Sequence, residues 1–164
     1  MTRLLVSDTS VLIDLERGNL LQTTFKLPVP LAVPDVLYER ELRANNGELL
    51  RTLGLQVLSL SDVEVSLAQE YLGRARSLSI PDAFALALAK SGGHVLVCAD
   101  RPLKELADAE TVECHGLFWI LDEIAEAGLL TPKRLRAALE TIASHPRCRL
   151  PKDLIATYLT KFSK

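Results

Sequence analysis

The chain has 164 residues, 48% of them hydrophobic and 5% aromatic, and a formal net charge of −2 at pH 7. That much aliphatic material suffices for the core of one domain, and three scattered cysteines (Cys98, Cys114, Cys148) without a CxxC spacing exclude a disulfide framework or a zinc ribbon. The near-neutral balance excludes a binder of nucleic acid through bulk charge alone.

The opening MTRLLVSD reaches a charge too early for a secretion signal, and no apolar run approaches the ~18 residues that span a membrane. A soluble cytoplasmic protein with reduced thiols is expected. RLLVS at Arg3–Ser7 predicts a first strand, after which Thr9 or Ser10 can cap VLIDLER and Gly18 can end it. A short second strand, Leu31–Val33, is bracketed by prolines, and Pro34 opens the helical stretch DVLYERELR as a first-turn proline. Leu55–Leu60 predicts a third strand, and Ser61 or Asp62 can cap a long helix reaching about Arg76. Ser79 stands three residues before Asp82, as in a capping box, ahead of AFALALAK, which is apolar all round and predicts a buried helix. His94–Cys98 predicts a fourth strand, Pro102 opens LKELADA, and Thr111–Cys114 predicts a fifth strand. An amphipathic helix follows from Leu117 to Ala127, ending at Gly128, and two more helices near Pro132–Ala143 and Asp153–Phe162 close the chain. Short apolar runs alternating with helices predict an α/β fold with a parallel sheet.

The last stretch is charged unlike the rest. Residues 131–164 carry eight basic residues against two acids, while the remainder has eight more acids than bases. A basic end beside an acidic body suits a negatively charged partner, or merely two solvated helix faces. Trp119, at helical spacing with Leu117 and Ile120, reads as core or dimer interface rather than a stacking platform for bases.

Four acids stand where a surface role is hard to defend. Asp8 and Asp100 each follow a strand and precede a helix, at the carboxyl ends where open α/β sheets bind ligands. Each also suits a helix cap, and Asp82 suits the Ser79 capping box. Glu41 projects into the apolar face that Leu37, Tyr38 and Leu42 define on DVLYERELR, with Glu39 at its margin. An acid in an apolar stripe usually has a partner or a job. Hard oxygen ligands without adjacent Cys or His suit Mg²⁺ or Mn²⁺ rather than zinc.

DTSVLIDL at Asp8, the acid-bearing helix after Pro34, SIPDAFALALA around Asp82 and VLVCADRPLKELA around Asp100 together resemble the PIN domain, over about Leu4 to Gly128. The tail HGLFWILDEIAEAGLLTPKRLRAALETI and RLPKDLIATYL is similar to the C-terminal extension of one subgroup of these VapC-type, PilT N-terminus-like ribonucleases. The resemblance implies a three-layer α/β/α sandwich with a parallel five-stranded sheet of order 3-2-1-4-5. It also implies a nuclease domain over residues 1–128 and a helical extension over residues 129–164 packed on it. It carries the family's acids onto Asp8, Asp82 and Asp100, with the remaining one on Glu41 or, alternatively, Glu39. These would hold one or two Mg²⁺ or Mn²⁺ ions, supported by Thr9 and Ser10, with Arg101, Lys104 and the basic residues of the C-terminal stretch on the RNA backbone. The implied activity is endonucleolytic hydrolysis of single-stranded RNA, in a homodimer. A role as the toxin partner of an antitoxin protein is within what the resemblance implies. The alternative is a PIN fold that binds RNA or protein without cleaving. The family often has Thr or Ser just before the last acid and a further acid soon after. Here Cys98 and Ala99 precede Asp100, and Pro102, Leu103 and Lys104 follow, which bears on a second metal position.

Overall fold

Branched aliphatics in runs too short for helices place five strands at the centre of the molecule, as the computed structural model of residues 3–163 shows. Lys164, part of the basic end, lies outside the described residues. The strands are β1 (Leu5–Ser7), β2 (Leu31–Pro34), β3 (Gln56–Leu58), β4 (Val95–Val97) and β5 (Cys114–His115). Between and after them come helices α1 (Thr9–Arg17), α2 (Leu21–Thr24), α3 (Asp35–Leu37), α4 (Gly47–Leu53), α5 (Asp62–Arg74), α6 (Ile80–Gly92), α7 (Arg101–Ala109), α8 (Leu117–Glu126), α9 (Pro132–Ser144) and α10 (Lys152–Lys161). A π-helical turn, Tyr38–Leu42, continues α3. The sheet has the order β3-β2-β1-β4-β5, and every pairing is parallel.

Alternation along the strands divides the core in two. Leu5, Leu31, Val33, Val95 and Val97 meet α1, α8 and α9 on one face, whereas Val6 and Leu96 meet α5, α6 and α7 on the other. β1, β2 and β4 are therefore buried throughout, as parallel strands covered on both faces must be. α6 sends Ala83, Ala85, Leu86, Ala87, Leu88 and Ala89 inward, so its small residues let it lie close against the sheet. α9 contributes Leu135, Leu139 and Ile142, all fully buried, to the same core as β1. At ~1.5–3 kcal/mol for each such side chain, it is an integral element. No helix among the described residues is long and apolar enough to cross a membrane.

The structure differs from the sequence reading in four places. The cap of α1 is Asp8, not Thr9 or Ser10, because its carboxylate reaches the Val11 N–H. Pro34 ends β2 and stands just before α3 rather than in its first turn. The fifth strand pairs at Cys114–His115, later than Thr111–Cys114, since Thr111 turns the chain with a φ of 58°. α2, α4 and the π-turn were not anticipated: α2 is a single turn, and α4 follows an Asn-Asn-Gly sequence that reads as loop.

Candidate active site

A parallel sheet gathers the carboxyl ends of its strands at one rim, and the central strands β1 and β4 end side by side there. Asp8 immediately follows β1. Its Oδ1 accepts from the Val11 N–H at 2.9 Å and its Oδ2 from the Ala99 N–H at 2.9 Å. The first bond caps α1, and the second crosses to the turn after β4. Asp8 is only 2% exposed. Burial pushes its carboxyl up to about 7 against the two N–H bonds, and the charges of Asp82 and Asp100 push the same way.

Asp82 sits in the first turn of α6, where the Ser79 hydroxyl accepts from its N–H at 3.2 Å. Burial raises its carboxyl to about 6, and the charges of Asp100 and Glu41 add to the rise while Ser79 opposes it. Asp100 caps α7 by accepting from the Leu103 N–H at 3.2 Å. Glu41 comes from the π-turn, and its Oε1 accepts from the Thr9 hydroxyl at 2.9 Å. Four separate segments thus bring these acids to one rim, where the charges of Asp82 and Asp100 act on Asp8 and those of Asp100 and Glu41 act on Asp82. α1, α6 and α7 all begin there and turn their N-terminal N–H groups toward it.

The other candidates separate. Glu39 pairs with Arg43 at 2.7 Å on the far side of the π-turn. Glu41 is exposed rather than set in an apolar stripe: the wider π-turn keeps Tyr38 and Leu42 buried and moves Glu41 off their face, toward Thr9. Arg101 points along α7 to Glu105 at 3.1 Å and is largely exposed. Ser10 and Lys104 line a neighbouring groove. Cys98 turns its sulfur to that of Cys114, 3.0 Å away.

That groove, of about 550 Å³, opens beside Ala99 and Asp100. Its walls include Arg147 and Arg149, from the basic C-terminal stretch expected to hold the RNA backbone, and Trp119, which was read from the sequence as core or dimer interface. Trp119 packs partly on the core and partly lines the groove, stacked on His115 with ring centres 4.4 Å apart and planes 7° from parallel. Asp14 was missed. It is buried, paired with Arg17 at 3.6 Å, and burial raises its carboxyl. Its signal was position, between the core residues Leu12 and Leu15.

The donor set suits a hard divalent cation in kind, being all carboxylate oxygen. The charges acting on Asp8 and Asp82 here are those of other carboxylates, so a cation would supply the missing countercharge. The side chains stand apart, however: among the described residues no three His, Cys, Asp or Glu groups close tightly enough to hold an ion. The residues therefore fit a metal in chemistry and charge, while their carboxylates stand wider than a coordination shell.

Residues 4–164 match the model of a protein family described as a PIN domain. Eleven solved chains also match. Among them is PAE2754 from Pyrobaculum aerophilum, with a TM-score of 0.51 and 21% sequence identity, covering 77% of this chain and 99% of that one. At that identity the likeness speaks for the fold alone. No curated protein matches.

Proposed function

The chain belongs to the PIN-domain family, and from that premise we propose that it is a Mg²⁺- or Mn²⁺-dependent endonuclease of single-stranded RNA. PIN domains are generally nucleases and generally use divalent metal ions. The observation that carries the reading is the gathering of Asp8, Asp82 and Asp100 at one rim of the sheet, with Glu41 close enough to Asp82 for its charge to act there, and Asp8 buried on two N–H groups.

Asp8, Asp82, Asp100 and Glu41 would hold one or two ions. A bound ion supplies a Lewis acid for the phosphate and lowers the pKa of a water. Asp8, pinned by two N–H groups, keeps its carboxyl oxygens fixed in place at the rim. Thr9 holds Glu41 toward the rim and acts as a positioning residue. The N-termini of α1, α6 and α7 favour the incoming phosphate. None of these side chains forms a bond to phosphorus.

Incubation with single-stranded RNA and Mn²⁺ tests the reading, beside Asp8→Asn and Asp100→Asn. Each substitution should lower cleavage at least about 100-fold, in line with loss of a metal ligand or its orientation. Equal residual cleavage by all three proteins would assign the activity to a contaminant. It would leave a second reading, a PIN fold that binds without cleaving, which the separation of the carboxylates favours. A toxin role with an antitoxin partner and a homodimer belong to the same proposal. Growth arrest on expression and a doubled mass in solution are their tests.

A further inference from the structure

The groove beside Asp100 is lined mostly by residues to which the proposed reaction gives no role. Its volume of about 550 Å³ falls within the ~300–1,000 Å³ usual for small-molecule sites, room enough for a nucleotide. Four cations line it: Arg17, Lys104, Arg147 and Arg149. Arg17 is answered by Asp14. Among the described residues no carboxylate lies within ion-pair reach of Lys104, Arg147 or Arg149. Acids outnumber bases in this chain, so three unanswered cations around one groove are a specific arrangement. Trp119 lines the same groove, its ring set in advance by stacking on His115.

We propose that this groove seats the RNA strand on one side of the cleaved phosphodiester, with a base against Trp119 and the flanking phosphates on Lys104, Arg147 and Arg149. The inference rests on the nuclease reading and assigns part of the substrate to the segment after α9. Continuity supports it: Ala99 and Asp100 belong both to the groove wall and to the carboxylate rim, so a strand leaving the rim enters the groove without a gap. Charge complementarity selects a polyanion, and the aromatic wall selects one that carries bases. An acidic peptide would answer the charge but not the ring.

Trp119 is the single tryptophan of the chain, so intrinsic fluorescence reports the groove directly. An Asp82→Asn protein, which leaves RNA intact, is titrated with a short single-stranded RNA and, separately, with poly-glutamate. RNA should quench Trp119 and poly-glutamate should not. Arg147→Ala with Arg149→Ala, both exposed positions, should weaken RNA binding about tenfold or more and reduce the salt dependence by about two phosphate contacts. In the cleaving protein the same pair should raise KM far more than it lowers kcat.

Equal quenching by poly-glutamate would overturn the proposal in favour of an acidic protein partner. Cleavage by the native protein without a Trp119 signal, and with KM unchanged in the arginine variants, would overturn it while leaving the nuclease reading intact. Quenching without cleavage by the native protein would do the reverse, sinking the nuclease reading and keeping the groove as the RNA seat.

Discussion

A carboxylate that accepts two backbone N–H bonds usually ionises easily, yet Asp8 holds its proton to about 7 because burial outweighs them. In the unfolded chain it ionises near 3.8, so between about pH 4 and 7 the folded state binds more protons than the unfolded. Stability is then fully present below that window and falls as pH rises through it, by roughly 4 kcal/mol for Asp8 once complete. Asp82, raised to about 6 chiefly by burial, adds a contribution of the same sign over a window ending near 6. In the presence of a chelator, Tm should fall between pH 5 and pH 8. Millimolar Mn²⁺ at pH 8 should restore it by mass action. A flat profile in chelator would contradict the burial argument. Asp82→Asn should flatten part of the slope. It is a cleaner probe than Asp8→Asn, whose amide must turn an N–H toward that of Val11 or Ala99 at about 1–3 kcal/mol. Thr9→Val removes the bond to Glu41, and apparent Mn²⁺ affinity should drop about 10–100-fold while Thr9→Ser retains it. Equal loss in both variants would mean that packing rather than the hydroxyl matters. Asp8 and Asp100 were visible in sequence from their places after strands and before helices, and Asp82 from its place at the front of an apolar helix. The Ala99 N–H was not, because a backbone donor leaves no mark in the residue type.

At the scale of elements, Glu41 shows how a helical-wheel argument fails where the chain leaves the α-helix. An α-helical wheel sets Glu41 between Tyr38 and Leu42, but the chain winds a π-turn there, and Arg43 N–H closes onto the Tyr38 carbonyl at 2.8 Å. Nothing in YEREL announces that wider turn, since helical periodicity is read on the assumption of 3.6 residues per turn. The parallel strands were legible because two-sided burial makes them continuous aliphatic runs. Their ends were not, because pairing stops where a neighbour stops rather than where apolar residues do. α9 offers a test at this level. Leu139 is fully buried against the core beneath β1, and Leu139→Ala should cost about 2–5 kcal/mol. At ~2–4 °C per kcal/mol, Tm should fall by roughly 4–20 °C. A fall of under ~2 °C would mean that α9 is only loosely docked.

For the whole molecule, charge is laid out so that the acidic rim and the basic C-terminal segment adjoin. The sequence exposed the +6 surplus of residues 131–164 but not its position, because only the packing of α9 on α1 and α8 brings Arg147 and Arg149 beside Asp100. Cleavage should therefore respond to salt mainly through KM, and added monovalent salt should raise KM steeply while kcat changes little. A salt-independent KM would remove the basic segment from substrate binding. The uniform strand direction has a practical corollary. With the carboxylates collected at one rim, the exposed turn at Gly93, just before β4, lies at the opposite one, and among the described residues nothing stands within 4 Å of a side-chain carbon added there. A short Gly/Ser insertion carrying a label or affinity tag at Gly93 should leave catalysis intact, which makes that turn the handle by which to tether or image the protein without disturbing its working edge.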